Sequence, residues 1–289
     1  MPDAAGTALL ELSGVTKRFG RVVVADNLSL RLGAGDIVGI VGPNGAGKTS
    51  LFGLIAGDLA PESGVIRLSG AEVTRLDPAA RCRLGIGRTY QVPRPFGAMT
   101  VFENVLVAVQ QGAGLRRRAS YAAAVGVLDR TGLSGEANSP AERLGLLQRK
   151  RLELARALAS EPRLLLLDEV AGGLTDPEVE ELVGIVRSIR AEGVAIIWIE
   201  HVVRALTAAV ERLLCLAGGI FVGDGTPATV LANPAVREVF LGTEVTTSLT
   251  GVVAGHGGAE AGAGPGAVPG ASPGRTPGPT GSGTGPEGT

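Results

Sequence analysis

Eight consecutive residues carry the strongest chemical signal in this chain. Gly42-Pro43-Asn44-Gly45-Ala46-Gly47-Lys48-Thr49 fits the pattern G-x-x-x-x-G-K-[ST], a loop whose backbone N–H groups cradle phosphate. Glycines let the chain turn tightly enough for those amides to converge on one anion. A helix starting at the same place adds partial positive charge. In such a loop Lys48 is expected to neutralise the β- and γ-phosphates of a nucleoside triphosphate, and the Thr49 hydroxyl to ligate Mg²⁺. Residues 42–49 and the following Ser50 are therefore the expected nucleotide contacts. The apolar run Ile37-Val38-Gly39-Ile40-Val41 precedes the loop and Ser50-Leu51-Phe52-Gly53-Leu54-Ile55-Ala56 follows it. That is the strand–loop–helix setting the motif requires, and it disfavours a glycine-rich turn with a chance lysine.

A second constellation lies downstream. Leu164-Leu165-Leu166-Leu167-Asp168-Glu169 is an apolar strand ending in two carboxylates, the Walker B pattern. Asp168 would emerge at the carboxyl end of the strand, where it can hold Mg²⁺. Glu169 would stand near the γ-phosphate as a candidate general base for the attacking water. A buried strand capped by two solvated acids is the alternative, and the preceding phosphate loop weighs against it.

The elements that must position these groups read as alternating strands and helices over residues 8–245. Strands are expected at Ala8–Ser13, Val22–Leu30, Ile37–Val41, Ile86–Gln91, Leu164–Leu167, Val194–Glu200, Leu213–Ala217 and Ile220–Gly223. Helices are expected at Val101–Gln110, Ala119–Thr131, Gln148–Ser160, Pro177–Glu192 and Val202–Ala209, with two short ones after the last strand. Such alternation implies an α/β fold with a mostly parallel sheet covered on both faces. The early strands suggest an antiparallel β subdomain, and the helix-rich middle, about 92–159, a helical subdomain. From about residue 246 to 289 the chain turns to Gly, Pro, Ala, Ser and Thr, a composition too poor in apolar side chains to offset its ordering entropy, so disorder is expected there.

Bulk numbers exclude several classes. The 289 residues are 45% hydrophobic, ample for a core, and carry a formal net charge of −1, which gives no general attraction to nucleic acid. Cys82 and Cys215 belong to no metal-spaced cluster and read as small buried side chains. With His201 and His256 they make no recognisable zinc site. The first residues lack a secretory signal, and no segment reaches the roughly 20 apolar residues that span a bilayer. The chain reads as cytosolic, with any membrane association made through a partner.

Further motifs make the resemblance specific. Arg88-Thr89-Tyr90-Gln91, Leu152-Glu153-Leu154-Ala155-Arg156-Ala157-Leu158-Ala159 and Trp198-Ile199-Glu200-His201 occur in order with the phosphate loop and Walker B. Together they resemble an ATP-binding-cassette (ABC) ATPase across residues 8–245. The resemblance implies roles for matching positions. Phe19 would stack on adenine, the alternative being a core phenylalanine. Gln91 would sense Mg²⁺ and the attacking water, and His201 would contact the γ-phosphate. The family's signature, Leu-Ser-Gly-Gly-Gln, reads here Leu144-Gly145-Leu146-Leu147-Gln148. From one subunit it would cap the ATP held by another, through Gly145 and Gln148. Gly145 removes one hydroxyl donor, and Leu147 is expected to place a side chain where backbone must approach phosphate. Val170 and Gly173-Leu174-Thr175-Asp176 also depart from the usual loop after Walker B. With Lys48, Gln91, Asp168, Glu169 and His201 all present, an active ATPase is expected.

Met99-Thr100-Val101-Phe102-Glu103-Asn104-Val105 and Asn233-Pro234-Ala235-Val236-Arg237-Glu238-Val239-Phe240-Leu241-Gly242 look like the ATPases of branched-chain (hydrophobic) amino acid importers. Urea, amide and lipopolysaccharide-export ATPases share parts of this pattern. The resemblance implies a second ATPase subunit, two membrane permease subunits, a substrate-binding receptor, and a place on the cytoplasmic side of the membrane. It also implies a subfamily extension at about 226–245. Pro93-Arg94-Pro95-Phe96 would lie in the socket for a permease segment, or form a rigid polar loop. Arg116-Arg117-Arg118 reads as a solvated helix start rather than a lipid contact. A soluble ABC protein of DNA repair or translation is the competing class, disfavoured by a single cassette without long heptads or basic surplus.

Overall fold

A computed structural model describes residues 8–115 and 118–241 of the chain. Strands β1 (Leu10–Phe19) and β2 (Val22–Leu32) form an antiparallel hairpin, followed by β3 (Ile37–Val41), which leads through the phosphate loop into helix α1 (Lys48–Ala56). Next come β4 (Ser63–Leu68), β5 (Ala71–Glu72), α2 (Pro78–Arg83) and β6 (Ile86–Arg88). Three helices follow: α3 (Val101–Ala108), α4 (Arg118–Arg130) and α5 (Leu146–Leu158). The remainder alternates: β7 (Leu164–Asp168), α6 (Asp176–Ala191), β8 (Ala195–Ile199), α7 (Val203–Ala209), β9 (Arg212–Ala217) and β10 (Ile220–Gly225). It finishes with α8 (Pro227–Ala232) and α9 (Pro234–Leu241).

Two sheets result. The smaller has the order β2-β1-β4-β5 and is antiparallel; the larger runs β10-β9-β3-β8-β7-β6, parallel except for β10. Every residue of β3, β7 and β8 is buried, as expected for parallel strands covered on both faces. Their period-two alternation divides the core. Val38, Ile40, Leu164 and Leu166 join α1 and the antiparallel sheet in one apolar cluster. Ile37, Val41, Leu165 and Leu167 join α5, α6 and α7 in the other. Gly39 has no side chain because Leu206, Val210 and Leu213 already fill its place.

The structure corrects several sequence boundaries. The first strand does not stop at Ser13 but runs to Phe19, carried past three register shifts by its pairing with β2. The strand expected through Gln91 ends at Arg88, because the Thr89 hydroxyl turns inward to donate to Leu166 O and to accept from Asp168 N. Helix α3 ends at Ala108 and continues as a π-helical turn over Val109–Ala113, with Gly112 against Ser160. Strands β4 and β5 and helix α2 escaped the pattern reading altogether. Cys215 is buried, which pushes its thiol up to about 11, whereas Cys82 is only half-buried. Residues 246–289, Arg116 and Arg117 lie outside the described residues.

Helix α2 carries a device that nothing in the sequence advertises. Arg81 is 1% exposed and its guanidinium faces four main-chain carbonyls: Leu54 at 2.6 Å, Ile55 at 2.9 Å, Thr74 at 2.9 Å and Leu76 at 3.0 Å. Two of these belong to the last turn of α1, where carbonyls lack helical partners and attract positive charge. Arg81→Leu is expected to lower urea-unfolding stability by about 3 kcal/mol, because it leaves several buried acceptors unpaired. Arg81→Lys should recover only part of that loss, since an ammonium cannot reproduce the planar fork.

Candidate active site

The phosphate loop is shaped by close approaches that only glycine permits. A Cβ on Gly42 would lie 2.1 Å from Leu216 O, and one on Gly47 would lie 2.2 Å from Val24 O. Gly47 caps α1 with φ +102° and offers no side chain to its first N–H groups, so those donors stay available to an anion. Asn44, Gly45 and Thr49 are exposed, Pro43 and Ser50 half-buried, and Ala46 buried. Lys48 folds back over the loop, its ammonium donating to Gly42 O at 2.7 Å and Pro43 O at 2.9 Å. Burial lowers its pKa, and the negative charges of Glu169 and Asp168 oppose that shift. The lysine therefore already sits in the field of both Walker B acids.

Asp168 ends β7 almost buried, and Arg88 from the neighbouring strand β6 reaches it at 3.4 Å while gripping Asp58 at 2.5 Å. Burial raises the Asp168 pKa and the Arg88 charge works against it. Beyond Asp168 the chain turns sharply. Glu169 takes a left-handed φ of 48°, unusual for a residue with a side chain. Its carboxylate is held from two sides: Gln91 Nε2 donates to Oε2 at 2.5 Å, and His201 Nε2 lies 2.7 Å from Oε1. Three residues separated by as many as 110 positions thus meet at one carboxylate. That clasp suits a base which must stay oriented toward a water.

Behind the clasp lie two charged groups that the motif reading passed over. Lys150 of α5, 5% exposed, donates to Glu169 O at 2.9 Å and to Gln91 O at 3.2 Å. Burial lowers its pKa, against the pull of Glu200 and the other nearby carboxylates. Glu200 is 1% exposed; its Oε1 accepts from Ala171 N at 2.6 Å and Trp198 Nε1 at 3.3 Å, and burial raises its pKa. Their signal in the sequence is slight: a lysine on the apolar face of an amphipathic helix, and an acid inside an apolar strand end.

Phe19 stands apart, half-exposed at the tip of β1 with the Lys17 ammonium 5.3 Å from its ring centre. It is not a core residue. Gly145 and Gln148 make no hydrogen bond to residues 42–49 among the described residues, and both face outward or partly so.

Residues 25–172, which hold both the phosphate loop and Walker B, match the ABC transporter family. The chain belongs to that family, as an ATP-binding cassette. Residues 223–246 separately match the branched-chain amino acid ATP-binding cassette transporter family. The cassette is 35% identical to the high-affinity branched-chain amino acid transport ATP-binding protein BraF of Pseudomonas aeruginosa, over 81% of this chain and 98% of BraF. It is 34% identical to LivG of Escherichia coli K12, which carries the same description, over 81% and 98%. The lipopolysaccharide export ATP-binding protein LptB of Acidithiobacillus ferridurans is also 34% identical, over 82% and 98%. Among solved structures, the ADP conformation of MJ1267, an ATP-binding cassette of an ABC transporter, aligns with a TM-score of 0.76 and 26% identity, over 82% of this chain and all of that one. Nucleotide binding and ATPase chemistry follow from this membership.

Leu147 does not lie on the outward face of the α5 helix end. Gly145 is the N-cap of α5, and Leu147 turns into the protein, 8% exposed, because successive helical residues rotate by roughly 100°. Leu146 is the outward side chain, 46% exposed, and its Cδ2 lies 3.2 Å from where a Cβ of Gly173 would be. The departure from Gly-Gly therefore places the apolar Leu146 side chain beside the loop after Walker B.

Proposed function

We propose that this chain is the ATP-hydrolysing subunit of an importer for branched-chain or other hydrophobic amino acids. The observation that carries the substrate class is the match of residues 223–246, together with the BraF and LivG relatives. In that segment α8 and α9 pack Val230 and Val236 against Gly223 of β10. On this reading residues 1–245 form the nucleotide-binding domain, with a helical subdomain at about 92–159 and an extension at about 226–245.

The residues fit Mg²⁺ and a triphosphate. Asp168 and Thr49 offer hard oxygen donors, with Gln91 nearby, and no group of three His, Cys, Asp or Glu among the described residues could hold a metal unaided. That matches an ion bound largely through substrate phosphates and water. Bound there, Mg²⁺ supplies charge neutralisation for the β- and γ-phosphates. Lys48 and the first N–H groups of α1 hold the phosphates, Phe19 offers a ring face to adenine, and Glu169 accepts the proton of the attacking water. Gln91 and His201 keep the Glu169 carboxylate in place. Gly145, exposed, and Gln148, partly so, suit capping the ATP of a second subunit.

Coupling to permease subunits would pass through a groove of about 350 Å³ beside Gln91, lined in part by Tyr90, Phe96, Asn104, Glu153 and Arg156. Phe96 is 48% exposed there, with the Arg156 guanidinium 5.4 Å from its ring centre. No helix among the described residues is long and apolar enough to cross a membrane. On the importer reading the chain would attach at the cytoplasmic face through its permease partners, peripherally. Co-expression with a candidate permease pair should give a co-purifying complex whose ATP turnover rises when leucine-loaded receptor is added to proteoliposomes. A monodisperse protein bound to nucleic acid would overturn the importer reading, and stimulation by urea, an amide or a lipid instead would reassign the substrate.

A further inference from the structure

We infer that Lys150 is a positioning residue for ATP hydrolysis, fastening the main chains of Gln91 and Glu169 to helix α5. The inference rests on Glu169 being the general base. Two carbonyls that are 78 positions apart in sequence converge on one buried ammonium, Glu169 O at 2.9 Å and Gln91 O at 3.2 Å. These are the main chains of the two side chains that meet at the Glu169 carboxylate. Glu169 needs such a hold. Its left-handed backbone is strained for a residue with a side chain, and among the described residues its N–H is held by Ile199 O, at 2.9 Å. Without Lys150 the carbonyl keeps only the longer bond from Gly172 N, at 3.4 Å, and the turn can relax, carrying the carboxylate with it. A shift of about 1 Å in a reacting group is enough to cost about 100-fold in rate.

Lys150 contributes little to holding α5 itself. Leu152, Leu154 and Leu158, each no more than 1% exposed, anchor that helix in the core. The phosphate loop takes no hydrogen bond from Lys150. Loss of the ammonium should therefore separate chemistry from binding. The same helix begins at Gly145, so the seat of the outward helix end and the seat of Glu169 are set by one rigid element.

The test uses the full chain. Lys150→Met should lower kcat for ATP by about 30-fold while KM and the Kd of a fluorescent ATP analogue change by less than about threefold. Lys150→Arg, which keeps charge and donors, should recover at least a third of the wild-type kcat. In a Glu169→Gln background Lys150→Met should leave ATP-induced dimerisation intact, which a general loss of structure would not. Lys150→Gln, a polar replacement, covers the case in which the methionine variant fails to fold, and should show the same kcat loss. A kcat within threefold of wild type, or kcat and nucleotide affinity falling together in both variants, overturns the inference. If Glu169→Gln itself keeps wild-type turnover, the general-base reading fails instead.

Discussion

Glu169→Gln should lower steady-state phosphate release by at least about 100-fold while leaving ATP affinity unchanged, and should accumulate an ATP-bound dimer visible by light scattering. The reason is the geometry of the clasp. Gln91 donates to one carboxylate oxygen, and His201 Nε2 faces the other at 2.7 Å. A glutamine can occupy the same place, with its carbonyl toward Gln91 and its amide toward a neutral His201 acting as acceptor. Position is therefore kept, and what disappears is the basicity needed to take a proton from water. Binding should be untouched because on the proposed reading Lys48 and the N-terminus of α1 would hold the phosphates, and the substitution does not alter them. A variant with wild-type turnover would remove Glu169 from the base role and require another acceptor near the γ-phosphate.

Gly47→Ala should cost about 3 kcal/mol of unfolding free energy in the nucleotide-free chain, from strain and overpacking together, and weaken ATP binding beyond tenfold. The added Cβ would lie 2.2 Å from Val24 O, a main-chain atom of β2 that cannot swing away as a side chain would, and φ is +102°. Relief requires moving either the loop or β2, and the loop carries the N–H groups proposed to bind phosphate. Gly45→Ala is the control. Its φ is also positive, +79°, but nothing lies within 4 Å of its Cβ, so only the conformational cost of about 1 kcal/mol is expected. Thermal melts of both variants without nucleotide separate close approach from backbone strain. Equal destabilisation would mean that the contact with Val24 does not shape the loop.

The difference between those two glycines illustrates where the sequence stopped. Spacing alone located the phosphate loop, Walker B and the alternating elements, because each is a local pattern: five buried residues in a row for β3, four leucines before Asp168, apolar residues at helical intervals in α5 and α6. Local chemistry determined those residues' immediate conformation. It could also name Gln91 and His201 through the resemblance they carry. It could not say that both side chains end on Glu169, since that meeting depends on β6, β7 and β8 lying side by side in the parallel sheet.

The parts that only the tertiary structure decided are the ones with no local signature. Arg81, Lys150 and Glu200 look in sequence like ordinary charged residues on helix faces or strand ends, yet each is buried on main-chain groups supplied from elsewhere. β4 and β5 have weak patterns and exist because β1 offers an edge to β4, and β4 in turn offers one to β5. Leu147 seemed an obstruction while only its position in the signature was known; the helix phase set by Gly145 turns it inward and leaves Leu146 outside. Sequence thus determined which groups are available for chemistry on a triphosphate. Strand adjacency and helix phase, which arise from packing between distant segments, decided which of them touch.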